Sequence, residues 1–497
     1  MKLSFLFGAG AEIGYGLPSG GKFALDIFRQ NPISVKDEFK KMRDEIDFET
    51  TYAGTWLPKD YCEKNVSSFG KSVFEIIIKD TIEHNKEQII QRLNNFDEIA
   101  KFECEKIKER NVKHFIEETI KQKISDCNMI NRVSFIDYLE KGNKIFSSNW
   151  FSALMQLYKN KDNLDDLARY ELQKMLISIL ELQAGALSAD FAKHFNDGLF
   201  KKKDDKIEFL DDIGDVFKLN YKSAGLSGLE YIMENKTIQV TDDQSAVALF
   251  AHNIVENIYS TVLDYKTLID SNWHYLYCPR DEWAKFCKIN IFLYTVKNYI
   301  EKQLHDNYDS SKRGYYNDVF EIKDDVEILA IATTNYNTLI DEIINKEIYH
   351  LNGATNMYYD PYLNRIGEKS TLNEHKKHFL VPLIFTQSGT KPMTSIDMSL
   401  KYVEVYQKYK ASDYIIIVGF GFNPDDEHIN GILRTLIDVD HKKIIVIDVD
   451  DKIDSYKIAK KLKVSNEENI EIMYVDASRE RNGVKWISEI IARKIDE

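Results

Sequence analysis

The chain has 497 residues, 43% hydrophobic and 29% charged, with a net charge of −14. That length holds two to four average domains, or one large domain carrying insertions, with enough apolar residues for a core. The acidic balance argues against a broad nucleic-acid-binding face, which needs a basic stripe, and no apolar run approaches the ~18 residues that span a bilayer.

The first predicted element is a short buried strand, Leu3 to Phe7, which ends in Gly8-Ala9-Gly10. Gly14 and Gly16 follow, then Leu17-Pro18, then a helix over about 22–29. A strand that ends in glycines lets backbone N–H groups approach a phosphate, and a helix N-terminus nearby adds a partial positive charge. The same turn also closes ordinary hairpins. Residues 36–322 read mainly as helix, with almost no proline. Ile89, Leu93, Phe96, Ala100 and Cys104 recur at three- and four-residue steps, as do Phe151, Leu154 and Leu157, and Leu172, Met175, Leu176 and Ile179. Such stripes face a helix–helix core.

From residue 323 the pattern changes. Val326 to Ala332, Tyr414 to Val418, Lys443 to Val449 and Ile470 to Val475 are predicted strands, and Phe379 to Phe385 is a further apolar run. Helices are predicted over Thr338 to Ile344, Ser395 to Lys410, Asp425 to Ile437 and Trp486 to Ile495. Alternating apolar strands and helices imply an α/β fold with a Rossmann-like parallel sheet covered on both faces. The strand Leu3 to Phe7 finds no partners in the helical stretch, so its neighbours are expected after residue 323. Residues 1–35 and 323–497 then form one domain, and 36–322 a large helical insertion.

Ligands of such sheets sit at the carboxyl ends of the strands, where the strand order reverses. The strand ends here carry Gly8-Ala9-Gly10, Thr333-Thr334-Asn335-Tyr336-Asn337, Leu351-Asn352-Gly353-Ala354, Gly419-Phe420-Gly421-Phe422 and Asp448. Small, amide and acidic groups of this kind suit phosphates, ribose hydroxyls and an amide-bearing base. No serine or cysteine nucleophile signature and no Walker loop is present. The third position of a dehydrogenase-type glycine fingerprint is Ile13, which disfavours a hydride-transfer enzyme. Cys62, Cys104, Cys127, Cys278 and Cys287 form no C-x-x-C pair, so a zinc ribbon is not expected. Scattered thiols in odd number, and Met1-Lys2 leading straight into the strand, give a cytoplasmic expectation. Lys201-Lys202-Lys203, followed at once by Asp204-Asp205, reads as a solvated loop.

The chain resembles the sirtuin (SIR2) superfamily, in its divergent bacterial branch of NAD-hydrolysing immune effectors. Gly8-Ala9-Gly10-Ala11 followed by Gly16-Leu17-Pro18 is similar to that family's first glycine signature. Thr333-Thr334-Asn335-Tyr336 is similar to its TTNYD motif, with Asn337 where aspartate is usual. Ile417 to Phe422, followed by Asp426, is similar to the later glycine motif on the ribose and adenine side, and the strand into Asp448 to the closing strand. The resemblance covers residues 1–35 and 323–497 and none of the helical middle. It implies NAD as substrate, held by Gly8, Ala9, Gly10, Leu17, Pro18, Thr334, Asn335, Gly419 and Gly421. It also implies a role in antiphage defence by NAD depletion, without the four-cysteine zinc module of the deacetylases. A homo-oligomer or a defence partner protein would then hold the toxic activity in check. The helical insertion is the segment expected to serve that regulation, or to be a passive lid.

One position departs from the family pattern. The family's catalytic histidine lies in an LHG motif, and the matching text here is Tyr349-His350-Leu351-Asn352-Gly353, which puts Asn352 at the histidine position. Three explanations stay open: an inactivating substitution at 352, use of His350 or another histidine, or NAD binding without hydrolysis. His350 and Asn352 lie two apart and would share a face if both were in a strand. His350 is also readable as a packed strand histidine.

Hydrolysis at the nicotinamide ribose passes through an oxocarbenium-like transition state and releases a neutral leaving group. The site must orient the ribose, place a polar group near the developing charge and position a water. The Asn335 amide can hold a ribose hydroxyl and that water, or can simply form a strand-end turn. Glu12 either faces the cofactor or caps the following helix. Asp448 either holds an adenosine ribose hydroxyl or is a solvated loop acid. If 352 is the base position, asparagine there costs about 10²–10⁴-fold in rate.

Overall fold

A computed structural model describes residues 1–17, 23–70, 82, 85–128, 144–198, 206–209, 217–220, 226–234, 237–262, 272–322, 326–372, 377–384, 395–449 and 453–493. The chain divides into two compact units. One comprises Met1–Gly20, Gln30–Phe69 and Lys266–Glu497, the other Gly21–Arg29 and Gly70–Tyr265.

The first unit is built on a six-stranded sheet. Strand β1 is Lys2–Phe7, β2 Glu327–Thr333 and β3 Ile348–His350. A three-stranded antiparallel sheet follows, from β4 (Gly353–Asp360), β5 (Arg365–Gly367) and β6 (Val381–Ile384). The main sheet resumes with β7 (Tyr414–Val418), β8 (Ile444–Asp448) and β9 (Ile470–Tyr474). Its order is β9-β8-β7-β1-β2-β3, and every pair is parallel. This is the Rossmann-type order, in which the chain steps outward on one side of β1 and then on the other. As the sequence implied, β1 pairs with strands that come more than 300 residues later: Phe7 lies beside Thr333 on one side and Val418 on the other.

Successive side chains of a strand point to opposite faces, and both faces here are apolar. Leu6, Ala332, Ile417 and Val446 join one core layer with Met398, Val405, Leu433 and Leu462 from the helices Ile396–Ala411, Glu427–Asp438 and Ser455–Leu462. Phe5, Phe7, Ile416 and Ile447 join the other with Leu339, Ile340, Trp486 and Ile490. Ile415, Ile416 and Ile417 of β7 are wholly buried, which is why that strand reads as an unbroken apolar run. Each such side chain contributes about 1.5–3 kcal/mol of burial.

The limits of this unit lie elsewhere than at residues 35 and 323, because residues 30–69 and 266–322 belong to it. The physical reason is aromatic packing. Phe39 stacks on Phe379 at 4.7 Å, and Trp283 and Phe286 close on the same ring at 5.9 and 5.4 Å. The helix Tyr315–Phe320 lies on the sheet face, where Tyr316 meets Phe7 edge-on at 5.1 Å and stacks on Tyr15 at 5.4 Å. Asp318 takes a two-pronged ion pair from Arg479, at 2.7 and 3.2 Å, and the Trp486 indole N–H at 2.8 Å.

The second unit is mainly helical. It contains Phe23–Phe28, Lys86–Asn94, Phe96–Lys106, Val112–Ile120, Asn149–Lys159, Asp166–Gly198, Leu226–Met233 and Asp243–Val262, with a ribbon of Lys206–Phe209 and Phe217–Asn220. The stripe from Ile89 to Cys104 spans two helices that break at Asn95, yet Ile89, Leu93, Phe96 and Ala100 are all buried. Arg29, which follows the helix Phe23–Phe28, pairs with buried Glu256, and His252 lies between Glu256 and Glu171 at 3.4 and 3.5 Å. Among the described residues, no helix is long and apolar enough to cross a membrane, and no group of three or more His, Cys, Asp or Glu is placed to hold a metal ion. The run 201–203 lies outside the described residues.

Candidate functional site

The strand order reverses between β1 and β7, and the two glycine turns meet there. Gly8 N–H donates to Val418 O at 2.9 Å and Gly10 N–H to Gly419 O at 3.0 Å. A Cβ at Gly8 would lie 2.5 Å from Gly419 O, and one at Gly10 2.8 Å from Gly419 Cα. Gly419, at φ +65°, would put a Cβ 2.2 Å from Ala11 N. These glycines are therefore required by each other: their N–H groups and close approach serve to interlock two turns. Ala9 is exposed at the rim of the first turn, and Gly421 at the second. Lys461 donates to Gly421 O at 3.0 Å, which brings an exposed ammonium to that turn.

The first turn winds on as a 3-10 helix, Ala9–Tyr15, and Gly16 ends it at φ +94°. Leu17 is buried in the aromatic layer with Tyr15, Tyr315 and Tyr316, and Pro18 lies outside the described residues. Glu12 is 5% exposed. Its Oε1 accepts from the Tyr316 hydroxyl at 2.8 Å and its Oε2 from Asn337 Nδ2 at 2.7 Å. Its carboxylate is thus turned inward and does not lie open at the rim, and the N-terminal flank of the next helix lies outside the described residues. An ionised aspartate at 337 could not donate to this carboxylate, which gives the asparagine there a physical reason. Asn337 Oδ1 in turn accepts from Leu339 N–H and starts the helix Leu339–Ile344.

Burial raises the Glu12 pKa above the usual carboxylate value, and hydrogen bonds from Asn337 and Tyr316 and the charge of His350 offset part of that. The folded protein then binds this proton more tightly than the unfolded chain does. The stability it contributes is complete below the ordinary glutamate range and is lost as pH rises through the raised value. Glu12→Gln lacks that loss. Its unfolding free energy relative to the native chain is expected to improve from pH 5 to pH 8, by about 1.4 kcal/mol per tenfold difference in proton affinity. Denaturant midpoints at the two pH values check this.

At the end of β2, Thr334 N–H donates to Phe7 O at 2.9 Å, and Thr333 Oγ1 accepts from Asn335 N–H at 3.0 Å. Asn335 is 6% exposed. Its Nδ2 donates to Gly8 O at 3.2 Å and to Tyr316 Oη at 3.0 Å, so both amide protons are used inside the protein. The carbonyl oxygen of that side chain is the group it could offer to a ligand. The run Asn335 to Tyr316 to Glu12 has one direction: each donates to the next.

His350 and Asn352 part company. Strand β3 ends at His350, and Leu351-Asn352 form the turn into β4, so the shared face expected of a strand does not arise. His350 is 4% exposed, with Nε2 2.9 Å from Asp341 Oδ2 and Nδ1 3.2 Å from Asn335 O. Asn352 belongs to a different cluster. Its Nδ2 donates to Asp426 Oδ1 at 3.1 Å, and its Oδ1 lies 3.0 Å from His428 Nε2. Tyr402 meets the His428 ring edge-on at 5.6 Å, and its hydroxyl donates to Leu351 O at 2.7 Å. Asp448 is half-buried at the end of β8, and its carbonyl accepts from Val475 N–H at 2.9 Å.

Sequence reasoning missed Tyr316, His428 and Tyr402. His428 carried a usable signal: it lies in the first turn of a helix, two residues after Asp426 and behind a strand-end glycine turn. Tyr316 carried none, because it lies in a segment read as insertion. The groups gathered around the strand ends (amides, tyrosine hydroxyls, carboxylates, two imidazoles and the Lys461 ammonium) match the chemistry of ribose diols, a carboxamide and a phosphate. A comparison with protein-family models, curated proteins and solved structures finds no match to this chain.

Proposed function

We propose that the chain is a sirtuin-like NAD glycohydrolase, of the SIR2 type, that cleaves the nicotinamide N-glycosidic bond and yields nicotinamide and ADP-ribose. The observation that carries this reading is the hold of Asn335 on the first glycine turn, which is itself interlocked with the second, at the switch point of a Rossmann-ordered sheet. The Asn335 carbonyl would take a hydroxyl of the nicotinamide ribose, with Gly8 and Tyr316 fixing the amide so that no reorganisation accompanies the reaction. Ala9, Gly421 and Lys461 would meet the pyrophosphate, and Asp448 the adenosine ribose. Depletion of NAD in antiphage defence is the role that fits such a hydrolase, and the helical unit would hold it off through oligomerisation or a partner.

A second reading has its own observation. Asn352 stands where the family pattern has histidine, and its amide is held at both ends by Asp426 and His428. An amide cannot act as a base, so this favours an NAD or ADP-ribose sensor that scaffolds a partner. Incubation with NAD separates the two. Nicotinamide release by the unaltered chain is the expected result. NAD binding with no release, from both the unaltered chain and Asn352→His, would establish the sensor.

A further inference from the structure

We propose that Asp426 is the general base of this site, with Asn352 as the residue that positions it and His428 as the anchor behind Asn352. The inference rests on the hydrolase reading above and names the group that takes the proton from water.

Four other groups near the strand ends are set aside by their geometry, and Asp448 is taken by the adenosine ribose in the reading above. Asn335 and Asn352 are amides. Both oxygens of Glu12 are taken, by Tyr316 and Asn337, beneath the surface of the crevice. His350 is buried and faces an acceptor at each nitrogen, the Asn335 carbonyl and the Asp341 carboxylate. The cluster around Asn352 is different, because it is only partly buried on the Asp426 and His428 side.

The direction of its hydrogen bonds follows from the amide. Asp426 is a carboxylate and must accept, so the Asn352 nitrogen faces it. The Asn352 oxygen is then turned to His428, whose Nε2 must carry a proton. The chain of donation runs from His428 to Asn352 to Asp426, which makes Asp426 its terminal acceptor. Asp426 also precedes the first turn of the helix Glu427–Asp438, where a negative charge is favoured. Asparagine at 352 is on this view a working part: it orients a carboxylate base, as a carboxylate does in other glycosidic hydrolyses.

The step balances as follows. A water oxygen bonds to C1′ of the nicotinamide ribose and passes one proton to the Asp426 carboxylate. The C1′–N bond breaks, and its electron pair neutralises the pyridinium of nicotinamide. ADP-ribose is left, and Asp426 returns its proton to solvent.

The test uses the full chain and follows nicotinamide release and, separately, NAD binding by calorimetry. Asp426→Asn is expected to lower kcat by about 10²–10⁴-fold, with the dissociation constant for NAD within a few-fold of the native value. Asp426→Glu keeps the carboxylate and is expected to recover part of that loss. Asn352→Ala is expected to lower kcat rather than raise KM. An active native chain whose Asp426→Asn variant keeps kcat within about threefold would overturn the assignment and leave the hydrolase reading standing. A native chain that binds NAD and releases no nicotinamide removes the hydrolase reading itself, and this proposal with it.

Discussion

Gly419→Ala is expected to destabilise the sheet-bearing unit by about 2–5 kcal/mol, the sum of left-handed backbone strain and overpacking. At φ +65° an alanine is strained, and its Cβ would lie 2.2 Å from Ala11 N and 2.5 Å from Gly10 C. Both are backbone atoms, so no rotamer change relieves the overlap, and the two turns must separate. Separation would break the bonds from Gly8 to Val418 and from Gly10 to Gly419. NAD binding should fall along with the denaturation midpoint. Gly14→Ala is the control: a Cβ there meets nothing within 4 Å, and the change is expected to stay within about 0.5 kcal/mol. Equal effects of the two substitutions on the midpoint would show that the interlock contributes nothing.

The second large effect is at Asn335. Asn335→Asp keeps the shape and removes both donors, from Gly8 O and from the Tyr316 hydroxyl. It also brings a second carboxylate toward the buried Glu12 network. Removal of a preorganised polar group of this kind typically costs about 10²–10³-fold in kcat. Nicotinamide release is expected to fall by that much or more, and Asn335→Ala by a similar factor. Variants that turn over NAD like the native chain would reduce Asn335 to a turn former.

Much of the main sheet was legible because its strands are buried on both faces. β7 occupies Tyr414–Val418, the predicted range, and β1, β2, β8 and β9 lie within about a residue of theirs at each end. Of the antiparallel sheet only β6 was legible, inside the apolar run Phe379 to Phe385. Gly353 to Asp360 mixes polar and aromatic residues without clean alternation, and β5 has three residues. The unit boundary was hidden for another reason. Phe39, Trp283, Phe286 and Phe379 meet across more than 300 residues, and no local pattern marks such a contact. At the site, the glycines and Asn335 could be read from strand ends. The cluster of Asn352, Asp426 and His428 could not, because it depends on which way a turn residue faces. The glycines illustrate the limit: the letters point to close approach, and the structure says that what approaches is the other turn.

The place of β1 in the middle of the sheet sets a condition on synthesis. It precedes the other strands of its sheet in the chain, yet Lys2 lies beside Glu327, so its first neighbour follows 325 residues later. At about 5–20 residues per second, roughly 15–65 s pass before that neighbour leaves the ribosome, and longer before Gly419 does. During that interval Leu3, Phe5, Leu6 and Phe7 have no partner strands, and the crevice at the switch point does not exist. A nascent or truncated chain that lacks β7 has no second glycine turn to close the site. On the hydrolase reading proposed above, the site cannot form before the segment that carries Gly419 has been made.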